Sequence, residues 1–185
     1  MSTESTTPTT PPTPANGEHT TNGMPHGSTS LTPHLVVTPA AAALEFYRDV
    51  FGATIVDVTR FPAPEGGTDA AGAPVEIVAH AVLDFGSGML TLSDPLEAYG
   101  LVAGDPARGH DFSMALYLPD VDAVTARAAA AGATVREPAT TFVSGDRFSS
   151  VLDPFGIRWS LMTRVEDLSP AESARRVAEW AATQG

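Results

Sequence analysis

The side chains that could take part in chemistry are few and lie far apart along the chain. The sequence has no cysteine, which excludes disulfides, thiolate nucleophiles and thiolate metal ligands. Two histidines, His34 and His80, fall in apolar, β-branched segments where strands are predicted. A neutral imidazole donates a hydrogen bond from one nitrogen and accepts one at the other. Any bound metal would need ligands from histidines and carboxylates.

His34 and His80 are the candidate ligand-binding residues of the first half. Strand alternation puts Thr32 and His34 on one face, and it puts Glu76 and Asp84 on the same face as His80. His80 could orient a polar ligand or act as a general base, which makes it the candidate catalytic residue. A purely structural hydrogen-bonded histidine is the alternative for both. A metal site combining the two histidines with one carboxylate is a further alternative, since three such ligands suffice for a catalytic ion.

The second half offers one aromatic ring, two cations and two hydroxyls. Tyr117 could pack on a ligand, and Arg147 or Arg158 could bind an anionic group. The structural alternatives are simple packing for Tyr117, a surface ion pair for Arg158 and an intrachain salt bridge for Arg147. The candidate ligand contacts of this half are Ser113, Tyr117, Arg147, Arg158 and Ser160.

The elements that would position the first group follow a recognisable order. LTPHLVV is predicted to be a strand, and Pro39 suits the first turn of a helix whose apolar residues recur at helical spacing until Gly52. TIVDVTRF is the next strand. After a Gly/Pro-rich loop, VEIVAHAVLDFG and MLTLSD form a hairpin. The first half is therefore predicted to be β-α-β-β-β.

The second half repeats this order. SMALYLPD, TVREPAT, DRFSSVLD and IRWSLMTR are predicted strands, and VDAVTARAAAAGA is the helix that follows the first of them. FGAT at 51–54 corresponds to AGAT at 131–134, and Pro39 corresponds to Pro119, both at an offset of eighty positions. In the last strand, alternation leaves Trp159 and Leu161 to pack under the helix. The sequence thus predicts an α+β fold of two βαβββ modules, about 30–98 and 111–167, in one domain of residues 30–167.

The two ends differ from this domain. Residues 1–29 are rich in Thr, Pro, Gly and Asn with almost nothing to bury, and they are predicted to be a disordered tail. A helix is predicted in residues 168–185, with Ser169 as its N-cap, Pro170 at its first position and Glu172 at its third. Val177 and Trp180 would form its apolar stripe, packed either on the parent module or on a second subunit.

Charge and hydropathy exclude several classes of partner. The formal net charge is −12, and the 10 Lys and Arg residues are scattered, so a nucleic-acid partner is not expected. No apolar run approaches the roughly 20 residues that span a bilayer, so no membrane partner is expected. The N-terminus shows no basic segment followed by an apolar stretch, and a cytoplasmic location is the expectation.

Three segments together resemble one protein family. LTPHLVVTPAAAALEFYRDVFGA, LPDVDAVTARAAAAGATV and GDRFSSVLDPFGIRWSLMTRVEDLSPAE are similar to the PhnB-like branch of the glyoxalase/bleomycin-resistance/dioxygenase superfamily, also called the vicinal-oxygen-chelate superfamily, over about residues 31–176. The resemblance implies two βαβββ modules whose curved sheets form a cup around a small ligand, often completed by a homodimer. Its enzymes usually hold a divalent metal in that cup.

The ligand positions that the resemblance implies carry unsuitable residues here. They fall on Thr32, Ser113 and Ser160, and the segment 89–93, where a fourth ligand belongs, holds no acid. Neutral hydroxyls compete poorly with water for a divalent ion. We therefore expect no metal and no cofactor.

The expected function is metal-independent binding of a planar or aromatic small molecule, as in the drug-resistance members of the superfamily. The first alternative is a lyase, isomerase or dioxygenase-like enzyme that uses a displaced histidine-based metal site or His80 as base. The second is a regulatory module without a ligand of its own. A small-molecule ligand and a homodimeric assembly are the expected partners.

Overall fold

The computed structural model describes residues 13–64, 66–68, 70 and 72–184. The chain divides into two compact units, residues 1–32 and residues 33–185. In the first unit, β1 (Thr20–Thr21) pairs antiparallel with β2 (Met24–Pro25) across a turn in which Asn22 and Gly23 have positive φ. This short hairpin lies in the segment predicted to be disordered and was not predicted from the sequence. Residues 1–12 of that segment lie outside the described residues, and disorder of the tail stays a prediction.

The first module of the second unit has the predicted order. It consists of β3 (His34–Val36), α1 (Ala40–Phe51), β4 (Thr54–Pro62), β5 (Glu76–Asp84) and β6 (Met89–Ser93). The strands form a sheet in the order β3-β6-β5-β4, in which only the β3-β6 pair is parallel. Gly52 ends α1 in the left-handed conformation, with φ of 78°, which a residue without Cβ adopts at no steric cost.

The second module repeats this topology. It consists of β7 (Met114–Tyr117), α2 (Val121–Ala130), β8 (Thr134–Thr141), β9 (Asp146–Leu152) and β10 (Arg158–Arg164). The sheet order is β7-β10-β9-β8, again with one parallel pair, β7-β10. The predicted α+β fold of two βαβββ modules is confirmed.

One hydrophobic core joins the two modules. Trp159 and Leu161 are buried, as predicted, and the indole of Trp159 contacts the rings of Tyr47 and Phe51 on α1 at centroid distances of 5.2 and 4.6 Å. The Arg127 guanidinium of α2 donates two hydrogen bonds to the Val50 carbonyl at the end of α1. Because the helices lie in this shared core, each sheet keeps one face without a helix. We call these the first open face, on β3-β6-β5-β4, and the second open face, on β7-β10-β9-β8.

The chain ends with α3 (Pro170–Ala182), which begins as predicted. The Ser169 hydroxyl accepts a hydrogen bond from the Glu172 amide at 3.2 Å, and Pro170 occupies the first turn. Trp180 contacts the Phe142 ring edge-on at 4.9 Å and remains 41% exposed. The apolar stripe of α3 is thus partly covered by the second module. None of the helices in the described part of the chain is long and apolar enough to cross a membrane.

Candidate functional site

The first open face brings the two candidate histidines together. The rings of His34 and His80 are stacked, with centroids 5.9 Å apart and planes 3° apart. His34 Nδ1 is 2.9 Å from the Thr91 hydroxyl, and its Nε2 is 3.2 Å from the hydroxyl of Ser93, which is fully buried. Register explains this arrangement, because β3 pairs with β6 so that His34 lies opposite Thr91.

The two histidines differ in hydrogen bonding. Both nitrogens of His34 are occupied by hydroxyl groups, whereas His80 has no hydrogen-bond partner among the described residues. Burial lowers the pKa of His34, and the nearby His80 lowers it further. His34 is therefore a fixed, neutral ring at neutral pH, and His80 is the one of the pair with free nitrogens for a ligand.

A bulge in β5 changes one detail of the sequence interpretation. Thr59 pairs with His80 and Arg60 pairs with Val78, so the register shifts by one residue at Ala79. Strand alternation is interrupted there, because two residues on the bulged strand oppose one on its neighbour. Asp84 keeps the parity of His80, but the expectation that Glu76 shares that parity is wrong.

The second open face carries three of the remaining candidates. Ser160 lies on β10 between Ser150 of β9 and Ala115 of β7. Arg158 donates hydrogen bonds to the Ser150 hydroxyl at 3.1 Å and to the Glu137 carboxylate at 3.0 Å. Arg158 is therefore already paired, which agrees with the ion-pair alternative considered for it.

Tyr117 lies at the rim of the same face. Its ring is 58% exposed, and its hydroxyl donates to Oδ1 of Asp146 at 3.2 Å. Ser113 precedes β7, is exposed and makes no hydrogen bond with any described residue. The Tyr117 ring and the Ser113 hydroxyl are therefore not part of the core, and both are accessible to a ligand.

Arg147 faces away from this group. It pairs bidentately with Asp122 at the start of α2, with both N–O distances at 2.6 Å. That side of β9 is the one on which α2 packs, while its neighbour Asp146 points to the second open face. The intrachain salt bridge considered for Arg147 is the arrangement observed, and the structure does not bring Arg147 together with the other candidates.

Sequence reasoning missed a cavity on the second open face. It has a volume of about 630 Å³ and lies along the β8-β9 hairpin, so we call it the β8-β9 cavity; it is lined by Glu137, Pro138, Thr140, Phe142, Ser144, Asp146, Phe148 and Met162. Strand alternation in DRFSSVLD could have found part of it. Across the β9-β10 turn, Phe148 pairs with Met162 and Asp146 pairs with Arg164.

A glycine turn shapes one end of the β8-β9 cavity. Gly145 has φ of 89°, and a Cβ built there would lie 2.8 Å from Leu168 Cδ1. The Phe142 amide donates to the Asp146 carbonyl, which closes the turn. The GDR motif therefore combines a turn glycine, a carboxylate that lines the cavity and an arginine that anchors β9 to α2.

The structure gathers no complete metal site from the described residues. No group of three or more His, Cys, Asp or Glu side chains among them is placed to hold an ion. The rings of His34 and His80 are stacked, and no carboxylate completes a ligand set with them among the described residues. His34 also uses both of its nitrogens on hydroxyls. The residues present do not fit the divalent metal of the related enzymes.

Comparison with known proteins establishes the family. The sequence model of the Glyoxalase/Bleomycin resistance protein/Dioxygenase superfamily matches residues 28–161, and the chain belongs to this superfamily. Protein Rv0887c of Mycobacterium tuberculosis is 35% identical over 146 residues, which is 77% of this chain and 79% of that protein.

Solved structures share the fold. TioX from Micromonospora sp. ML1 is 25% identical with a TM-score of 0.50, covering 76% of this chain and 100% of TioX. The PhnB protein from Bacillus cereus is 19% identical with a TM-score of 0.51, covering 73% of this chain and 99% of that one. A family enzyme from Burkholderia phytofirmans PsJN is 19% identical with a TM-score of 0.54, covering 74% and 99%.

Proposed function

We propose that this protein binds a planar or aromatic small molecule without the help of a metal ion. The β8-β9 cavity carries this proposal. Its volume of about 630 Å³ falls within the range of small-molecule pockets, and its walls include Phe142, Phe148 and Met162. Aromatic rings and a thioether pack well on flat ligands, and burial of apolar area supplies most of the affinity.

The alternative of an enzyme depends on His80. Its ring is exposed and free of hydrogen bonds among the described residues, so it could accept a proton from a bound substrate. A general base is usually oriented by a third group, however, and the neighbour of His80 is the stacked ring of His34 rather than a carboxylate. Binding needs only a cavity and one hydrogen-bonding group, so binding is the better supported function.

We further propose that the protein is a cytoplasmic homodimer. The helices α1 and α2 contribute to the shared core, so neither of them covers an open face. The family resemblance implies a cup that is often completed by a homodimer, and in the proposed dimer the first open face of one subunit covers the second open face of its partner.

Two experiments on the purified chain in excess chelator test the ligand and the dimer. A thermal-shift screen of antibiotics, quinones and glutathione adducts should find a compound that raises the melting temperature by mass action, and sedimentation should give twice the chain mass of 19.2 kDa. Stabilisation that disappears with chelator and returns with a divalent ion would overturn the metal-free proposal. A single species near 19.2 kDa would overturn the dimer.

A further inference from the structure

The polar side chains that line the β8-β9 cavity offer a ligand hydrogen-bond acceptors but no free hydroxyl donors. The Thr140 hydroxyl donates to the Pro138 carbonyl at 3.2 Å, and the Ser144 hydroxyl donates to Oδ2 of Asp146 at 2.9 Å. Phe142, Phe148 and Met162 have no side-chain donor, nor do the carboxylates of this cavity when ionised. Each side-chain hydroxyl donor in the lining is therefore already committed inside the protein.

Acceptor capacity, by contrast, is left over. A carboxylate has about four acceptor positions. Asp146 accepts hydrogen bonds from the Tyr117 hydroxyl at Oδ1, at 3.2 Å, and from the Ser144 hydroxyl at Oδ2, and it forms an ion pair with Arg164, whose Nε lies 3.1 Å from Oδ1. Its side chain is only 14% exposed. One acceptor position of Oδ2 remains, on a carboxylate held in place from three sides.

We propose that the ligand of this cavity is an aromatic molecule carrying a hydroxyl or amino group that donates a hydrogen bond to Asp146. This inference rests on the proposed function and names the ligand class. Phe142, Phe148 and Met162 contact the ring system, and Asp146 selects the donor. A molecule of the same shape without the donor leaves this acceptor position of Oδ2 without a partner on a side chain that is only 14% exposed, and an unfilled polar position discriminates strongly between similar ligands.

The fixed network makes one substitution especially informative. In Asp146→Asn, Tyr117 and Arg164 still need an acceptor, so the amide oxygen takes the place of Oδ1 and the NH₂ group takes the place of Oδ2. The Ser144 hydroxyl can reverse its role and accept. The position facing the ligand then changes from an acceptor to a donor, without a change in side-chain size.

The test uses a matched pair of probes, 6-hydroxyquinoline and 6-methoxyquinoline, titrated into the full-length protein at neutral pH with chelator present. The wild type should bind the hydroxy compound roughly tenfold more tightly, as one hydrogen bond to a charged acceptor allows. In Asp146→Asn the preference should fall to about twofold or less, because a methoxy oxygen can accept from the new amide as well as a hydroxyl oxygen can.

Two control variants locate the effect. Glu137→Gln changes the other carboxylate of the cavity, which pairs with Arg158, and should keep the preference. Phe148→Leu should weaken both probes by a similar factor, because it removes ring contact from both. Melting curves of each variant check that the fold is intact, and if Asp146→Asn does not fold, the relative affinity of the wild type for the two probes still tests the proposal.

The outcomes separate the two proposals. Equal affinity of the wild type for both probes, or loss of the preference in Glu137→Gln, would overturn the assignment to Asp146 while leaving small-molecule binding in place. If neither probe binds although another aromatic compound stabilises the protein, the assigned ligand class is wrong. If no aromatic compound binds at all, the proposed function is wrong as well.

Discussion

The two open faces come from the same βαβββ module, yet they differ in chemistry. The first open face presents the polar group His34, His80, Thr91 and Ser93, with Val82 paired opposite Thr91. The second presents a cavity walled by aromatic and aliphatic side chains, with paired carboxylates at its ends. Duplication of a module therefore conserves topology, while the residues on the helix-free face are free to diverge because the core does not depend on them.

Both faces depend on one buried group between the modules, and the largest effect is expected there. The Asp153 carboxylate accepts hydrogen bonds from the Tyr47 hydroxyl at 2.8 Å, from Trp159 Nε1 at 2.9 Å and from the amides of Phe155 and Ile157. Burial raises the pKa of Asp153. Asp153→Ala would leave four donors without this acceptor, three of them in buried hydrogen bonds, and we expect a loss of about 3–5 kcal/mol in the free energy of unfolding.

Urea unfolding measures this loss, and Asp122→Ala is the control. Asp122 is an exposed carboxylate whose partner is Arg147, so its removal should change stability little. Asp153→Asn should be milder than Asp153→Ala, since the amide oxygen still accepts. If Asp153→Ala has the same free energy of unfolding as the wild type, the hydrogen bonds of Asp153 do not stabilise the core that the two open faces share.

A smaller effect is expected at His80, which tests whether the polar face contacts a ligand at all. If the first open face of one subunit covers the β8-β9 cavity of its partner, removing the imidazole should reduce the affinity for the strongest compound from the thermal-shift screen by roughly 1–3 kcal/mol, the cost of one lost hydrogen bond with a partner left unpaired. The fold should survive, because the ring is exposed and makes no hydrogen bond with described residues. Isothermal titration of His80→Ala gives the number.

Thr32→Ala is the matched control for His80→Ala. Thr32 is the position that the family resemblance assigns to a metal ligand, and its hydroxyl contacts that of Thr29 at 2.8 Å. A metal-free protein should lose no affinity on this change. Equal affinity of the wild type and His80→Ala would make the histidine structural and leave the second open face as the binding surface of the subunit.

The fold could be predicted from sequence because its signals are local and repeated. Gly52 and Gly132 end helices in both modules, and Ser169 with Glu172 marks the start of α3. These features depend on backbone geometry and capping, which a single segment displays by itself. Because one module is repeated, the same sheet order is expected in both halves of the domain, and each half supports the prediction for the other.

The site was only partly predictable, because it depends on pairing between strands. Alternation alone placed His34, Tyr117, Arg158 and Ser160, but the β5 bulge altered the parity of Glu76. The β8-β9 cavity needs the register of β9 against both neighbours and the turn at Gly145, and no single strand shows either. That Arg147 turns to α2 while Asp146 turns to the cavity follows only once this register is known.

The smallest expected effect is the contribution of His34 to the pH dependence of stability. Burial and His80 lower the pKa of His34 below 6.5, so the unfolded chain binds a proton more readily than the folded one. Stability should therefore fall as pH decreases from 6.5 through the lowered pKa of His34, and the loss should be complete below that pKa. His34→Gln removes this component, so the free energy of unfolding of this variant should change less with pH across the weakly acidic range than that of the wild type.

Thr91→Val is the control, because it removes one hydrogen bond of His34 and leaves the burial of the ring unchanged. Its free energy of unfolding should be lower at every pH, but its dependence on pH should match the wild type. If Thr91→Val also reduces the pH dependence, the hydrogen bond to Thr91 rather than burial lowers the pKa of His34.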